Sequence, residues 1–243
     1  MKQGVFTITE NKELAPGTFR MILTGDTEDI TRPGQFVNIA LAGRFLRRPI
    51  SVCDWDSESL TILYKVVGKG TTQMSRMSPE QELDLLTGLG NGYDLDKSGD
   101  RPLLIGGGAG IPPLYALARH LLADGKRPVV ILGFNTVAEL FYRKEFEDLG
   151  LPVIVTTADG SAGTKGFVTD AMPGLEYTYV YTCGPGPMLR AVYDLSHTSG
   201  QFSFEERMGC GFGACMGCTC KTKYGNKRIC REGPVLEKEE ILW

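Results

Sequence analysis

The cysteines near the end of the chain constrain its fold more than any other feature. Cys210, Cys215, Cys218 and Cys230 follow the pattern C-x4-C-x2-C-x11-C. This is the plant-type spacing of a [2Fe–2S] cluster, in which one tight loop supplies three thiolates and a more distant residue supplies the fourth. The segment after residue 200 is rich in glycine and too short to bury a core of its own, so we expect metal ligation to organise it.

A structural zinc site is the alternative for the same residues. Zinc sites of this kind normally use two C-x2-C pairs, whereas this chain has one such pair beside a C-x4-C gap, and this spacing favours the iron–sulfur cluster. Cys220 could replace Cys218 only by lengthening the gap from Cys215 to four residues, so we predict that Cys220 is not a ligand. Cys230 is expected across a hairpin whose turn is Tyr224-Gly225-Asn226.

The composition is that of an ordinary globular protein and excludes several classes of partner. The 243 residues are enough for one large domain or two smaller ones. Because 26 basic residues stand against 29 acidic ones with no dense basic run, we expect no nucleic-acid partner. We expect neither a membrane span nor an export signal, since no apolar stretch is long enough and the first residues lack an apolar region. The seven cysteines are an odd number, which indicates thiols or metal ligands in the cytoplasm.

Short strands account for the chain as far as about Asp100. Apolar or alternating runs are separated by turn signals such as Pro16-Gly17, Pro33-Gly34 and Gly90-Asn91-Gly92. The predicted strands are GVFTIT, TFRMILTG, QFVNIAL, ISVCDW, LTILYKVV and ELDLLTG. Strands at this regular spacing, with no helical period between them, predict an antiparallel sandwich or barrel.

From Arg101 onward the pattern alternates between strands and helices. The predicted strands are LLIGGG, PVVILGF, LPVIVTT and YTYVYTCG, and the predicted helices are the segment opened by Pro112-Pro113 and AELFYRKEFEDL. This alternation predicts βαβ units and a parallel sheet. We therefore expect a multidomain chain: an antiparallel β-barrel over residues 1–98, an α/β parallel-sheet nucleotide-binding domain over 99–199, and a small C-terminal [2Fe–2S] module over 200–243.

Two glycine-rich loops follow strands of the predicted sheet. The first, residues 106–110, precedes a helix, where backbone amides and the helix dipole can receive a pyrophosphate. It is not the dinucleotide fingerprint, because the third glycine of G-x-G-x-x-G would fall on Ile111, and a simple tight turn is the alternative. The second loop, residues 183–188, follows the fourth strand. Since loops at the carboxyl ends of parallel strands bind ligands, two at one edge favour a nucleotide crevice.

Together these blocks resemble the ferredoxin–NADP reductase superfamily. Arg48-Pro49-Ile50-Ser51 looks like its flavin signature R-x-[YFI]-S, Pro33-Gly34-Gln35-Phe36 is also typical, and residues 65–71 look like its second flavin-contacting stretch. The resemblance implies a flavin-binding barrel followed by a nicotinamide-binding α/β domain. Ile50 stands where many relatives have an aromatic residue, so aliphatic packing would replace stacking there.

The resemblance also implies which residues touch the cofactors. Arg48 would pair with the FAD pyrophosphate, and Ser51 would hydrogen-bond the isoalloxazine or ribityl region. The residues implied for FAD are Arg48, Pro49, Ile50, Ser51, Lys65, Val66, Val67, Gly70, Thr71 and Thr72. Those implied for NAD+ are Gly107, Gly108, Gly110, Cys183, Gly184 and Met188. Val66 and Val67 could equally be barrel core, and Cys183 could be a small core residue of the sheet.

A reductase core followed by so short a cluster module is similar, over the whole chain, to the electron-transfer subunits of class 1B dihydroorotate dehydrogenases. The resemblance implies that electrons pass from the FMN of a catalytic partner subunit through the [2Fe–2S] cluster and FAD to NAD+ in pyrimidine (UMP) biosynthesis, with two copies of each chain. No general acid or base is needed for such electron transfer. No dihydroorotate site is recognisable, so the chain is expected to be catalytically incomplete alone. NAD+ is favoured over NADP+ because no arginine cluster directly follows the second parallel strand, although Arg143-Lys144 lie on the next helix.

Two other functions remain open on the sequence. An NAD(P)H reductase subunit of a hydrogenase, sulfite reductase or electron-bifurcating complex would share the same core. Bifurcating relatives tend to replace one cluster cysteine with aspartate, and this chain has all four. A zinc-stabilised, flavin-binding regulatory protein is the other candidate, and visible absorption would distinguish it. The apolar residues Phe212 and Met216 predict that the cluster loop faces the partner.

Overall fold

The first half of the chain forms a closed antiparallel barrel in the computed structural model, which describes residues 1–243. Its strands are β1 (Lys2–Ala15), β2 (Thr18–Thr24), β3 (Phe36–Ile39), β4 (Arg48–Trp55), β5 (Ser59–Lys65) and β6 (Glu82–Leu89). They follow the order β1-β2-β5-β4-β3-β6 around the barrel. Alternate side chains of β6 point inward, where Leu83 and Leu85 are buried in the barrel core. The fold is therefore a barrel and not a sandwich.

A short helix, α1 (Lys69–Met74), joins β5 to β6. The sequence predicts no helix in this half, and six residues are too few to show a helical period. The Thr71 hydroxyl stabilises the start of α1, since its Oγ1 accepts hydrogen bonds from the backbone N–H groups of Val67 (2.9 Å) and Gly68 (3.2 Å).

The second half is built on a seven-stranded sheet covered by helices. The remaining strands are β7 (Pro102–Gly107), β8 (Val129–Phe134), β9 (Val153–Thr157), β10 (Thr164–Lys165), β11 (Tyr179–Cys183), β12 (Gly200–Ser203), β13 (Thr219–Thr222), β14 (Gly225–Arg228) and β15 (Val235–Glu237), and the helices are α2 (Pro112–Ala123), α3 (Arg143–Asp148) and α4 (Gly186–Leu195). The sheet order is β10-β9-β8-β7-β11-β12-β15, parallel except for the β12–β15 pair. Every residue of β7 is buried, as expected for a parallel strand covered on both faces. No helix is both long and apolar enough to cross a membrane.

The predicted helix AELFYRKEFEDL is wrong over its first half. A short 3-10 turn covers Val137–Glu139, Tyr142 adopts a left-handed conformation with φ of 62°, and α3 begins only at Arg143. This break places the rings of Phe141 and Tyr142 in the apolar core. Tertiary packing therefore overrides the local helical pattern.

The barrel and the sheet domain share one apolar core. Cys53 and Leu63 of the barrel belong to the same buried cluster as Leu114 and Leu117 of α2. Outside that core, an ion pair joins Arg119 to Asp54, and the rings of Trp55 and His120 stack with centroids 5.0 Å apart. The two domains are therefore held in a fixed orientation.

The C-terminal segment is tied to both domains. Its strands β12 and β15 extend the seven-stranded sheet, whereas β13 and β14 form a separate hairpin before Cys230. The hairpin pairs Thr222 with Gly225, so its turn begins one residue earlier than the predicted turn Tyr224-Gly225-Asn226. The division of the chain at 1–98, 99–199 and 200–243 stays a prediction, although the last boundary separates β12 from the sheet with which it pairs.

Candidate functional site

The four cysteines of the predicted cluster form two pairs. The Sγ of Cys210 accepts hydrogen bonds from the backbone N–H groups of Ala214 (3.2 Å) and Cys215 (3.4 Å), and the Sγ of Cys215 accepts one from Cys210 (3.5 Å). In the second pair, the backbone N–H of Cys230 donates to the Sγ of Cys218 at 3.4 Å. All four thiols are free of disulfide bonds. Within each pair, a backbone N–H of one cysteine therefore reaches the sulfur of the other.

The four thiols do not converge as one group of metal ligands, and only their division into two pairs matches a two-iron cluster. A [2Fe–2S] centre takes two protein ligands on each iron, so paired cysteines match its ligand requirement. Burial raises the pKa of the Cys210 thiol, but hydrogen bonds from backbone N–H groups outweigh it and lower that pKa to about 6. The thiolate, which is the metal-binding form, is thereby favoured. Cys230 is the opposite case, because burial raises its pKa to about 12.

Cys220 lies on β13 and packs against the apolar cluster that contains Cys218 and Cys230. Burial raises its pKa, and Glu206 adds to that shift. That Cys220 is not a ligand stays a prediction.

Three polar residues that the sequence analysis did not single out hold the cluster segment in place. Asn38 Nδ2 donates to the Cys210 carbonyl at 3.1 Å, and Arg228 Nη1 donates to the Gly213 carbonyl at 2.7 Å. Asn91 Nδ2 donates to the carbonyl of Val235 at 2.7 Å and accepts from its N–H at 3.1 Å. In the sequence, only the asparagine inside the apolar run FVNI indicates such a contact, because a buried polar side chain requires a hydrogen-bond partner.

The predicted flavin signature lies on β4, next to the strand that contacts the cluster segment. Pro49 is opposite Asn38 in the β3–β4 pair, and Ser51 is opposite Phe36. The guanidinium of Arg48 lies directly against Gly70, where a Cβ would collide with it, and donates to the Leu46 carbonyl. Because Arg48 forms no ion pair with a carboxylate of the chain, its other N–H groups are free for a phosphate. The residues present therefore fit a flavin pyrophosphate.

The second predicted flavin stretch is divided between core and surface. Val66 packs against the barrel core, whereas Val67 is 81% exposed. The hydroxyls of Thr71 and Thr72 donate to the Gly68 carbonyl at 3.1 and 3.0 Å. Both hydroxyls therefore serve the first turn of α1, and a flavin role for these positions stays a prediction.

The two glycine-rich loops meet at the carboxyl edge of the sheet. Cys183 is opposite Gly106 in the β11–β7 pair. A Cβ at Gly107 would lie 2.5 Å from the Met188 sulfur, one at Gly184 would lie 2.5 Å from the Met188 Cε, and one at Gly110 would collide with the Cys183 carbonyl. The structure thus brings five of the six predicted NAD+ residues together, and packing between the loops accounts for these three glycines. Gly108, the sixth, has φ of 51° and open space around it.

A narrow cleft separates these loops from the barrel. Its lining includes Thr18 and Lys65 from the barrel, and Gly108, Phe134 and Glu139 from the sheet domain. The ammonium of Lys65 lies 3.8 Å from Glu139 Oε1 across the cleft. Cys183 borders the same edge, and burial raises the pKa of its thiol to about 12, so it stays protonated.

Solved structures define the class to which this fold belongs. The structure of an NADH-dependent reduced ferredoxin-NADP oxidoreductase, described for flavin-based electron bifurcation, matches with a TM-score of 0.90 and 29% identity over 99% of this chain and 90% of the other. A ferredoxin NADP+ reductase from Neisseria gonorrhoeae shares the fold, with a TM-score of 0.69 and 16% identity over 80% of this chain and 90% of that one. The fold and the paired thiols define a reductase of the ferredoxin–NADP reductase type that carries an iron–sulfur module.

Family models and curated relatives give the particular family. Residues 205–242 match the model "Iron-sulfur cluster binding domain of dihydroorotate dehydrogenase B", and residues 104–194 match "Oxidoreductase NAD-binding domain". The chain belongs to the family of the dihydroorotate dehydrogenase B (NAD(+)) electron transfer subunits. It is 40% identical to the subunit from Geobacillus sp. (strain WCH70), over 100% of this chain and 99% of the relative. It is 44% identical to the subunit from Fusobacterium nucleatum subsp. nucleatum, over 99% of each.

Proposed function

We propose that this chain conducts electrons from the FMN of a catalytic dihydroorotate dehydrogenase subunit, by way of a [2Fe–2S] cluster and FAD, to NAD+ in pyrimidine biosynthesis. The relatives at 40% and 44% identity carry the name of an electron transfer subunit, which requires a second, catalytic subunit. We propose a complex with two copies of each chain in the cytoplasm, and a preference for NAD+ over NADP+.

One observation carries this proposal, namely that the three predicted sites are contiguous. Asn38 on β3 contacts the Cys210 carbonyl and lies opposite Pro49 of the flavin signature on β4. On β5, the other neighbour of β4 in the barrel, Lys65 lines the same cleft as Gly108 of the sheet domain. An electron that enters at the cysteines can therefore reach the carboxyl edge of the sheet within one rigid body.

The residues of the chain bind and orient, and none of them needs to act as an acid or a base. Bound FAD would exchange electron pairs with nicotinamide and single electrons with the cluster. Arg48 would hold the FAD pyrophosphate, Ser51 would contact the isoalloxazine or ribityl region, and the cysteine pairs would each hold one iron. The shared core between barrel and sheet keeps these groups at fixed separations.

The test compares the isolated chain with the complex. After reconstitution with FAD, iron and sulfide, the chain alone should reduce a dye with NADH but should not oxidise dihydroorotate. The complex should reduce NAD+ with dihydroorotate and should prefer NAD+ to NADP+, and its mass in solution should correspond to two copies of each chain. Dihydroorotate oxidation by the isolated chain would overturn the proposal, and faster turnover with NADP+ would overturn the nucleotide preference.

Two variants separate the two redox sites. Cys218→Ser should abolish dihydroorotate-driven NAD+ reduction by the complex while NADH-driven dye reduction continues at the flavin. Arg48→Ala should lower FAD retention, and Arg127→Ala, an exposed arginine before β8, is the matched control. If the complex with Cys218→Ser reduced NAD+ at the wild-type rate, the route through the cluster would be wrong.

A second function is favoured by one specific finding. The match at 29% identity and a TM-score of 0.90 is to an NADH-dependent reduced ferredoxin-NADP oxidoreductase. The corresponding function is a reductase subunit that exchanges electrons with another partner. Reduction of a ferredoxin by NADH at a higher rate than dihydroorotate-driven NAD+ reduction would favour it.

A further inference from the structure

One buried side chain connects the strand beside the flavin signature to the cluster loop. Asn38 on β3 is 1% exposed, and its Nδ2 donates to the carbonyl of Cys210 at 3.1 Å. Its Oδ1 is buried and has no hydrogen-bond partner in the chain. The residues before and after it on the strand, Val37 and Ile39, are fully buried and apolar.

Stability of the barrel does not explain an asparagine at this position. A buried acceptor without a partner is unfavourable, so an apolar side chain of similar volume would stabilise the strand better. The single hydrogen bond that the Asn38 side chain forms leads out of the barrel to the cluster segment, which is 172 residues away in sequence. Asn38 therefore contributes a connection between β3 and the cluster loop.

The backbone of Asn38 is fixed by its neighbours. Pro49, opposite it on β4, has no N–H to offer. The Nη1 of Arg47 donates to the Asn38 carbonyl at 3.2 Å. The same guanidinium forms three hydrogen bonds with Asp84, at 2.9 and 3.1 Å to its carboxylate and at 3.1 Å to its carbonyl. The side chain that contacts Cys210 therefore starts from a rigid backbone position, directly opposite Pro49 of the flavin signature.

The cluster loop is shaped to accept this contact. Gly211, next to Cys210, has φ of 82°, and a Cβ there would collide with the Asn38 amide. Only glycine allows both this conformation and this approach. The fit is therefore reciprocal, with a polar side chain on the barrel and a glycine on the loop.

We propose that Asn38 is a positioning residue for electron transfer, which holds the Cys210–Cys215 side of the cluster at a fixed place beside the flavin strand. This inference rests on the proposed function, because it assigns a role within the same route. Asn38 acts through the Cys210 backbone, to which its side chain donates.

The experiment uses the reconstituted protein and two variants. Asn38→Leu preserves volume and removes the donor, and Asn38→Ser keeps a polar group that is too short to reach the Cys210 carbonyl. Amide hydrogen exchange of residues 210–215 should be at least about fivefold faster in both variants, the factor that corresponds to one net hydrogen bond. After mixing with NADH, the ratio of the cluster reduction rate to the flavin reduction rate should fall about tenfold, because small misplacements have large effects on rates.

Thr27→Val is the matched control, because Thr27 also donates a buried side-chain hydrogen bond to a backbone carbonyl of the barrel, that of Asp56, outside the cluster contacts. It should change neither the exchange of residues 210–215 nor the rate ratio. The proposal is overturned if Asn38→Leu and Asn38→Ser match the wild type in hydrogen exchange and in rate ratio. Failure of the proposed function is a different result, since the wild-type protein would then fail to pass electrons from NADH to the cluster.

Discussion

The two glycine-rich regions of the molecule use glycine for different reasons. At the edge of the sheet, Gly107 has an ordinary φ of −123°, and it and Gly110 are glycines because the neighbouring loop occupies the space of a side chain. In the cluster loop, Gly211 and Gly213 have φ of 82° and 91°, so the backbone conformation itself requires glycine. One region is held by packing between loops, and the other is shaped so that N–H groups point at sulfur.

Substitutions in the two regions should therefore destabilise different parts of the molecule. The edge loops belong to the apolar body of the sheet domain, so changes there should be felt by the whole fold. The exposed side of the cluster loop has few apolar contacts and depends on its ligands and on the Asn38 and Arg228 hydrogen bonds. Changes there should affect the cluster first.

Loss of a cysteine ligand of the cluster should have the largest effect, and that effect should be confined to the cluster loop. Cys218→Ser removes a thiolate that no other side chain replaces, so we expect a protein without bound cluster, measured by iron content and visible absorbance. Cys220→Ser should retain the cluster. Because β12 and β15 pair with the main sheet, far-ultraviolet circular dichroism of both variants should stay that of the wild type. Loss of the cluster in Cys220→Ser would show that the ligand set is wrong.

The second prediction concerns the sheet edge. Alanine at Gly110 would collide with the Cys183 backbone, so we expect a loss of about 3 kcal/mol in the free energy of unfolding, measured by circular dichroism in urea. Gly186→Ala at the same edge has open space and should stay within about 0.5 kcal/mol of the wild type. Equal effects of the two substitutions would contradict the packing explanation.

The third prediction concerns the cluster loop. Gly213→Ala forces alanine into a left-handed conformation and should cost about 1–2 kcal/mol. The cost should appear as a lower urea midpoint for loss of cluster absorbance, with the circular dichroism transition unchanged. Gly43→Ala also puts alanine in a left-handed conformation, at φ of 72°, in an exposed loop of the barrel, and it should leave cluster absorbance unaffected. A shift of both transitions together in Gly213→Ala would mean that the two regions are not separable.

The smallest effect should come from the ion pair beside the cluster. Arg228 lowers the pKa of Glu232 from 4.5 to about 2 through their hydrogen bonds. A carboxyl whose pKa is lower in the folded than in the unfolded protein stabilises the folded state at pH values above the unfolded pKa. This contribution is lost as the pH falls from 4.5 towards 2. Because the pair is about one-third exposed, we expect less than about 1 kcal/mol.

The measurement is the urea midpoint of cluster absorbance as a function of pH in the wild type and in Glu232→Gln. The difference between the two proteins should be constant above pH 4.5 and should shrink below it. Arg143 and Glu147 form a similar pair on α3, far along the sequence from the cluster, and Glu147→Gln should leave the cluster midpoint unchanged. A difference in urea midpoint that grows as the pH falls would contradict the stabilising role of ionised Glu232.

Much of the fold could be predicted from the sequence because local patterns dominate there. The barrel strands and the strand–helix alternation follow from apolar periodicity and from turns such as Pro33-Gly34. The errors lie where packing overrides local preference. Tyr142 breaks a helical pattern to place its ring in the core, and α1 is too short to show a period. The strands β12 and β15 escaped notice because each has only three or four residues.

The sequence by itself determined the class of chemistry, because four cysteines at fixed spacing and a flavin signature are local patterns that bonding geometry requires. Only the tertiary structure decided how the sites are connected. Asn38 and Cys210 are 172 residues apart in the chain, and their contact exists because the C-terminal segment folds back onto β3 of the barrel. Long-range contacts of this kind depend on how all the elements pack together, so no local pattern in the sequence reveals them.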